Sequence, residues 1–206
     1  PFVYAAAFKK GYTPETLLFD VLTEFNVNCN PDGSPGPSIK DPKDCYHPKN
    51  YDDIFRGPVD LRHAIAQSLN IPSVKLLYLT GVNDVIQTAK DMGISTLTDP
   101  KRYGLSLVLG GAEVNLLEMT SAFGVFAQDG ILHPKTAILR IENAKGIIIE
   151  EKKDSSVPAL DTEVARIIND LLSDNNARVP MFNPRSSLYF SDRKVACYTI
   201  SAKNNV

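Results

Sequence analysis

The sequence predicts an α+β fold, mainly helical with a small antiparallel strand content, and three observations carry that reading. Residues 56–79 read as helix, short break, helix, with Leu61, Ile65 and Leu69 repeating at helical spacing. Near the other end, Val164, Ile167, Ile168, Leu171 and Leu172 form a clear amphipathic stripe behind the capping residue Asp161. Between them, residues 138–141 and 147–149 are β-rich runs separated by Asn143-Ala144-Lys145-Gly146, the pattern of a hairpin.

Taken in order, residues 1–8 are apolar on almost every side, the mark of a helix buried all round, with Phe2, Tyr4 and Phe8 as its aromatics. Gly11, after Lys9-Lys10, suits its stop. Residues 13–51 read mostly as loop with one short strand. Gly57-Pro58 closes that region and Asp60 is placed to cap the next helix. After the break at Ser68-Leu69-Asn70, Pro72 stands in a first helical turn, where Asn70 is an ordinary cap. Asn83 is placed to cap a helix running to Met92 along Val85, Ile86 and Ala89, with Gly93 ending it. Asn115 and Glu118 have the spacing of a capping box for a helix reaching Gln128. Residues 194–199 read as a last strand, with Cys197 buried in it.

Composition bounds the function. The chain has 206 residues, 43% hydrophobic and 22% charged, enough for a substantial core in one domain, 1–206. A net charge of -2 with no basic run argues against nucleic acid as a partner. No apolar run reaches the length of a membrane span and no signal peptide appears. Three cysteines are few. Cys29 and Cys45 flank a loop rich in turn formers, Asn30 to Pro37. A disulfide between them ranks first, free thiols second, and a metal site with His47 last, because the spacing matches no usual zinc pattern. His47, His63 and His133 are scattered and read as surface or turn histidines. Glu113 reads equally as a cleft residue or a solvated one.

Ser68 lies beside an apolar stripe, where a hydroxyl is expensive to bury without a polar partner. By itself Ser68-Leu69-Asn70 is a common tripeptide, and Ser68 has the option of bonding back to its own helix. In its setting between two helices it resembles the Ser-x-Asn motif of penicillin-binding D,D-transpeptidases. The resemblance extends over nearly the whole chain. Residues 1–8, Tyr12-Thr13-Pro14-Glu15-Thr16, Asn50-Tyr51-Asp52, Tyr103 to Gly111, Leu117-Glu118-Met119-Thr120 and Phe126-Ala127-Gln128-Asp129-Gly130 are similar to the transpeptidase domain of class A, bifunctional penicillin-binding proteins.

That family has three signatures, Ser-x-x-Lys, Ser-x-Asn and Lys-Thr-Gly. Only the Ser-x-Asn signature stands intact. In relatives the Ser-x-x-Lys immediately precedes the segment beginning here at Pro1, so the chain is expected to be a partial domain without the nucleophile. Where relatives read Lys-Thr-Gly-Thr, this chain has Tyr198-Thr199-Ile200-Ser201. Tyr198 supplies no ammonium for a substrate carboxylate, and Ile200 stands where Gly lets a ligand approach a strand edge.

The resemblance implies the penicillin-binding transpeptidase / serine β-lactamase-like fold, mostly its helical lobe with an incomplete antiparallel sheet. It implies serine acyl transfer that cross-links peptidoglycan stem peptides ending in D-Ala-D-Ala, and trapping by β-lactams. Ser68 would serve in the proton relay to the leaving nitrogen. Asn70 would orient the lysine and hold the substrate amide carbonyl. Thr199 and Ser201 would bind substrate. No metal or organic cofactor is implied. The parent protein is expected to be membrane-anchored and extracytoplasmic, with an upstream glycosyltransferase domain. The competing expectation, raised by Tyr198 and Ile200, is a non-catalytic remnant or binding module of the same fold. A serine β-lactamase is weaker still, given the wording around Tyr103 to Gly111.

Overall fold

The structure is a computed structural model that describes residues 1–153 and 155–199. Helix α1 (Phe2–Lys9) is its centre. Val3, Tyr4, Ala5, Ala6, Ala7 and Phe8 are all buried. The helix is enclosed by α3 (Asn70–Thr80), α4 (Val82–Asp91) and α6 (Thr162–Ser173). The run Ala5-Ala6-Ala7 lets neighbouring backbones approach closely, while Tyr4 and Phe8 contribute most of the apolar area. Phe2 stacks near Phe123 and Phe126 of α5 (Leu116–Ala127), with centroids 5.7 Å from each. The predicted all-round burial holds for Val3 to Phe8, while Pro1 and Phe2 are half-buried, and Gly11 takes the positive φ of +92° that ends the helix.

Among the described residues, strand content is divided among three separate antiparallel pairs. β1 (Leu17–Asp20) pairs β2 (Gly57–Asp60), with Leu17 opposite Asp60 and Asp20 opposite Gly57. β1 turns Leu18 and Asp20 inward and Leu17 and Phe19 outward. β3 (Ile131–Leu132) pairs β6 (Val157–Pro158). β4 (Arg140–Glu142) and β5 (Ile148–Glu151) form the expected hairpin, with an irregularity between Ile141 and Glu142. Its apolar side chains, Ile138, Leu139, Ile147, Ile148 and Ile149, lie exposed.

Several expected details are corrected. Residues 194–199 form no strand; Cys197 is only half-buried, held by its amide donating to the Leu172 carbonyl at 2.9 Å. A strand needs a ladder partner, and this segment lies instead against the end of α6 and α7 (Asn175–Phe182). α4 starts one residue before Asn83, from Gly81 at φ +93°, so Asn83 is inside the helix. Asn115 does cap α5, accepting from the Leu117 amide. Glu118 does not complete the box; its carboxylate takes the Ser95 amide and hydroxyl, both at 2.8 Å. Asp161 stands at the N-cap of α6 without a side-chain bond to it. Cys29 and Cys45 are joined in a disulfide with Cα atoms 5.8 Å apart. None of the helices in the described residues is long and apolar enough to cross a membrane.

Candidate active site

Helix α2 (Leu61–Ala66) is started by Asp60, whose carboxylate accepts from the His63 amide at 2.8 Å. It ends at Ser68. The Ser68 amide donates to the Ile65 carbonyl at 3.1 Å and the Leu69 amide to the Ala64 carbonyl at 2.9 Å. Those two bonds make a Schellman termination, and its left-handed residue is Ser68 at φ +55°. Glycine is the usual occupant; a serine there carries backbone strain on the order of 1 kcal/mol. Strained backbone of this kind concentrates at functional sites.

The side chain of Ser68 faces the phenol of Tyr198. Burial pushes the Tyr198 phenol above its ordinary pKa, and the neighbouring Ser68 only partly offsets it. Two further hydroxyls stand nearby. Tyr4 of α1 shares a hydrogen bond of 2.9 Å with Ser73 Oγ, and Ser73 also donates to the Leu69 carbonyl at 2.6 Å. Burial drives the Tyr4 phenol far above its ordinary value; Ser73 opposes that, and the neighbouring Tyr198 adds to it. Ser68, Ser73, Tyr4 and Tyr198 thus join the break between α2 and α3, the central helix and the last described segment. Among the described residues no side-chain hydrogen bond joins the Tyr4–Ser73 pair to Ser68 or Tyr198, and the four hydroxyls include no base to activate a nucleophile.

Asn70 is the first residue of α3; its N-cap is Leu69, not Asn70 itself. The capping oxygen is supplied from elsewhere. Asn50 Oδ1 accepts from the Asn70 amide at 3.0 Å and the Ile71 amide at 3.3 Å. Asn50 Nδ2 in turn donates to both oxygens of the fully buried Asp20, at 2.9 Å each, and to the Ile54 carbonyl. The Asn70 side chain donates to the Lys49 carbonyl at 2.8 Å. Among the described residues, no bond joins Asn70 to Tyr198.

Thr199 is half-buried directly after Tyr198. Ser201, and Ile200 before it, lie outside the described residues. A Ser-x-x-Lys spacing does occur at Ser191-Asp192-Arg193-Lys194, unnoticed from sequence. Both ends are exposed, and the Lys194 ammonium is 3.3 Å from Asp170, so the spacing alone carries no site. His63 Nδ1 lies 2.7 Å from Asp60, and His47 Nδ1 3.0 Å from Glu24. His63 thus serves its own helix start, His47 ties two distant loop segments, and Glu113 is exposed. Sequence reasoning missed Asn50, Tyr4 and Ser73. The only hint was Tyr4 inside an otherwise apolar helix, since a buried phenol requires a partner.

No family model matches the chain. Penicillin-binding protein 1A of Aquifex aeolicus (strain VF5) is 31% identical over 172 residues, covering 84% of this chain and 22% of that protein. The crystal structure of penicillin-binding protein 1A from Haemophilus influenzae superposes with a TM-score of 0.69 at 23% identity, covering 84% of this chain and 28% of that one. Penicillin-binding protein A from Mycobacterium tuberculosis, solved as its penicillin G acyl-enzyme complex, gives a TM-score of 0.65 at 17% identity, covering 89% and 43%. The chain spans less than a quarter of the length of the first curated relatives it matches. With the Ser-x-Asn break, the helix-enclosed α1 and these likenesses together, the chain belongs to the class A penicillin-binding proteins and has the fold of their transpeptidase domain.

Proposed function

We propose that this chain forms the Ser-x-Asn wall of a peptidoglycan D,D-transpeptidase site, in which a serine supplied by the parent protein carries out acyl transfer. The observation that carries the reading is Ser68, held in a strained left-handed conformation with its side chain facing the Tyr198 phenol. In this reading the attacking serine forms an ester with the penultimate D-Ala carbonyl and the terminal D-Ala leaves as the free amine. Ser68 passes the proton to that leaving nitrogen, and Asn70 turns from the Lys49 carbonyl to orient the catalytic lysine and the substrate amide. Thr199 and Ser201 would bind substrate, as the family resemblance implies. β-Lactams react at the same serine, in keeping with the penicillin G acyl-enzyme form of the Mycobacterium tuberculosis protein. The parent is then an extracytoplasmic, membrane-anchored protein with an upstream glycosyltransferase domain, a setting that suits the Cys29–Cys45 disulfide.

Labelling with a fluorescent penicillin tests this. The 206-residue chain alone is expected to remain unlabelled, whereas the native gene product including the upstream Ser-x-x-Lys is labelled. Ser68→Ala in that longer protein lowers the acylation rate by about 10²-fold or more. Labelling of the 206-residue chain at a single serine would sink the reading, as would an unlabelled longer protein.

A second reading, a non-catalytic remnant or binding module, is favoured by one observation: Tyr198 stands where relatives have the signature lysine and its phenol closes on Ser68. Restoring the cation with Tyr198→Lys separates the two. Acylation that appears only in the Tyr198→Lys variant supports the remnant.

A further inference from the structure

The corner where residues 24–29 meet residues 44–47 holds a carboxylate against a disulfide. One Glu24 carboxylate oxygen and the sulfurs of Cys29 and Cys45 all lie within 4.8 Å of one another. The Glu24 side chain is only 3% exposed. Its Oε1 accepts the Asn26 amide at 2.8 Å and the Tyr46 amide at 2.7 Å; its Oε2 meets His47 Nδ1 at 3.0 Å. The same two segments are also tied by the Phe25 amide on the Tyr46 carbonyl and the Asn26 side chain on the Asp44 carbonyl. None of these bonds involves sulfur, so the corner keeps a frame when the S–S bond opens. His47 is further confined by Gly33, where an added Cβ would sit 2.9 Å from Nδ1.

We propose that reduction of Cys29–Cys45 turns this corner into a zinc-class metal site with Cys29 Sγ, Cys45 Sγ and Glu24 as its ligands and His47 as the donor that orients Glu24. A dithiol reductant delivers two electrons and two protons, the S–S bond breaks into two thiols, and the reductant leaves as its own disulfide. Metal binding then displaces the two thiol protons. A tetrahedral zinc ion separates its sulfur and oxygen ligands by about 3.3–3.8 Å. The freed sulfurs move apart towards that spacing, and the carboxylate closes by at most about 1.5 Å from the 4.8 Å upper limit. Two thiolates with one carboxylate select zinc or cobalt over calcium or magnesium. The fourth position is left to water. A ligating carboxylate hydrogen-bonded by histidine is the outer-shell arrangement that tunes such sites. None of these residues belongs to the Ser68 cluster.

The test uses the full chain, oxidised and dithiol-reduced, with Zn²⁺ titrated against a chromogenic chelator. One zinc per chain is expected in the reduced form and none in the oxidised form. Zinc raises the melting temperature of the reduced chain, because binding favours the folded state. Co²⁺ gives a thiolate-to-metal charge-transfer band, a readout that needs no variant. Glu24→Gln and His47→Ala each weaken binding about 10-fold or more. A reduced chain that takes up no more zinc than the oxidised chain overturns the proposal. So does uptake with no rise in melting temperature and no effect of Glu24→Gln, the behaviour of two free thiols on an unfolded loop.

Discussion

The phenol of Tyr198 faces the side chain of Ser68, bringing the last described segment to the break between α2 and α3. Ser68 holds its side of that contact from a backbone conformation glycine would take more readily. The serine therefore exchanges local strain for the position of a hydroxyl, and the two terms can be separated by substitution.

Ser68→Ala keeps the strain and loses the hydroxyl that faces the half-buried Tyr198 phenol. It is expected to destabilise the chain by about 1 kcal/mol. Ser68→Gly loses the same hydroxyl but relieves the strain, so it costs less than alanine by about 1 kcal/mol. Urea unfolding of the three proteins checks this. A glycine variant less stable than the alanine variant would show that Ser68 is not strained.

Asn50 is the tie between the β1–β2 pair and α3. It donates to buried Asp20 and accepts from the first two amides of α3. Asn50→Ala removes the cap and deprives a buried carboxylate of its side-chain donor, leaving it the Arg56 amide at 3.0 Å. The expected cost is about 3 kcal/mol or more, beyond a surface cap's usual ~1 kcal/mol. Thermal unfolding measures it. A loss under about 1 kcal/mol would show that water replaces Asn50 without penalty.

This bond set also shows where sequence reading stops. α1, α4 and α6 were legible because burial writes itself into apolar spacing, and the hairpin because its turn residues separate two β-rich runs. Asp60 and Asn115 were legible caps because the cap and its amide are near neighbours in sequence. Asn50 caps a helix that begins at Asn70, and no local pattern encodes that. Glu118 had the spacing of a capping box but found Ser95 instead, a tertiary competitor invisible in its own window. Residues 194–199 had strand composition, but a strand exists only with a partner. In the candidate site, Ser68 and Asn70 were picked out by motif, while the neighbouring Tyr4–Ser73 pair is brought in by packing alone.

Glu24 gives the pH dependence a sign. Burial pushes its carboxyl up, but the donated bonds of Asn26, Tyr46 and His47 outweigh that and hold it below its ordinary value. The folded state therefore binds fewer protons than the unfolded one. The stabilisation is fully present above the unfolded value of about 4.3 and is lost as pH falls through the folded value. In Glu24→Gln the acid limb of the stability curve becomes shallower. The gap between wild type and variant should be widest near neutrality and shrink below about pH 4. A gap that stays constant with pH would mean that charge on Glu24 contributes nothing.

The β4–β5 hairpin carries Ile138, Leu139, Ile147, Ile148 and Ile149 in the open. An apolar, open-edged pair of strands favours association and dye binding. The isolated chain is expected to bind a hydrophobic-surface dye and to associate as its concentration rises. Ile149→Lys reduces both without lowering the melting temperature, because this side chain packs little in the monomer. Sedimentation and dye fluorescence report the outcome. A monomeric, dye-silent wild-type chain would contradict the expectation.

Arg178 of α7 is 2% exposed, yet its guanidinium donates to three carbonyls: Leu172, Leu188 and Cys197, the last two at 3.2 Å. With the Cys197 amide on Leu172, this fixes both backbone groups of Cys197 and so sets where Tyr198 stands. Arg178 is thus a positioning residue for the Ser68–Tyr198 contact. Arg178→Met fills similar space but leaves carbonyls without a donor, at an expected cost of about 3 kcal/mol. Most of that loss should fall on the last segment rather than on the α1 core. Cys197, the one cysteine outside the disulfide, is a built-in reporter. Its reaction with a thiol reagent should speed up about tenfold or more in the variant, with α1 amides still protected from hydrogen exchange. Equal thiol reactivity in the two proteins, or loss of protection spread evenly across α1, would show that Arg178 supports the whole fold and not the placement of Tyr198.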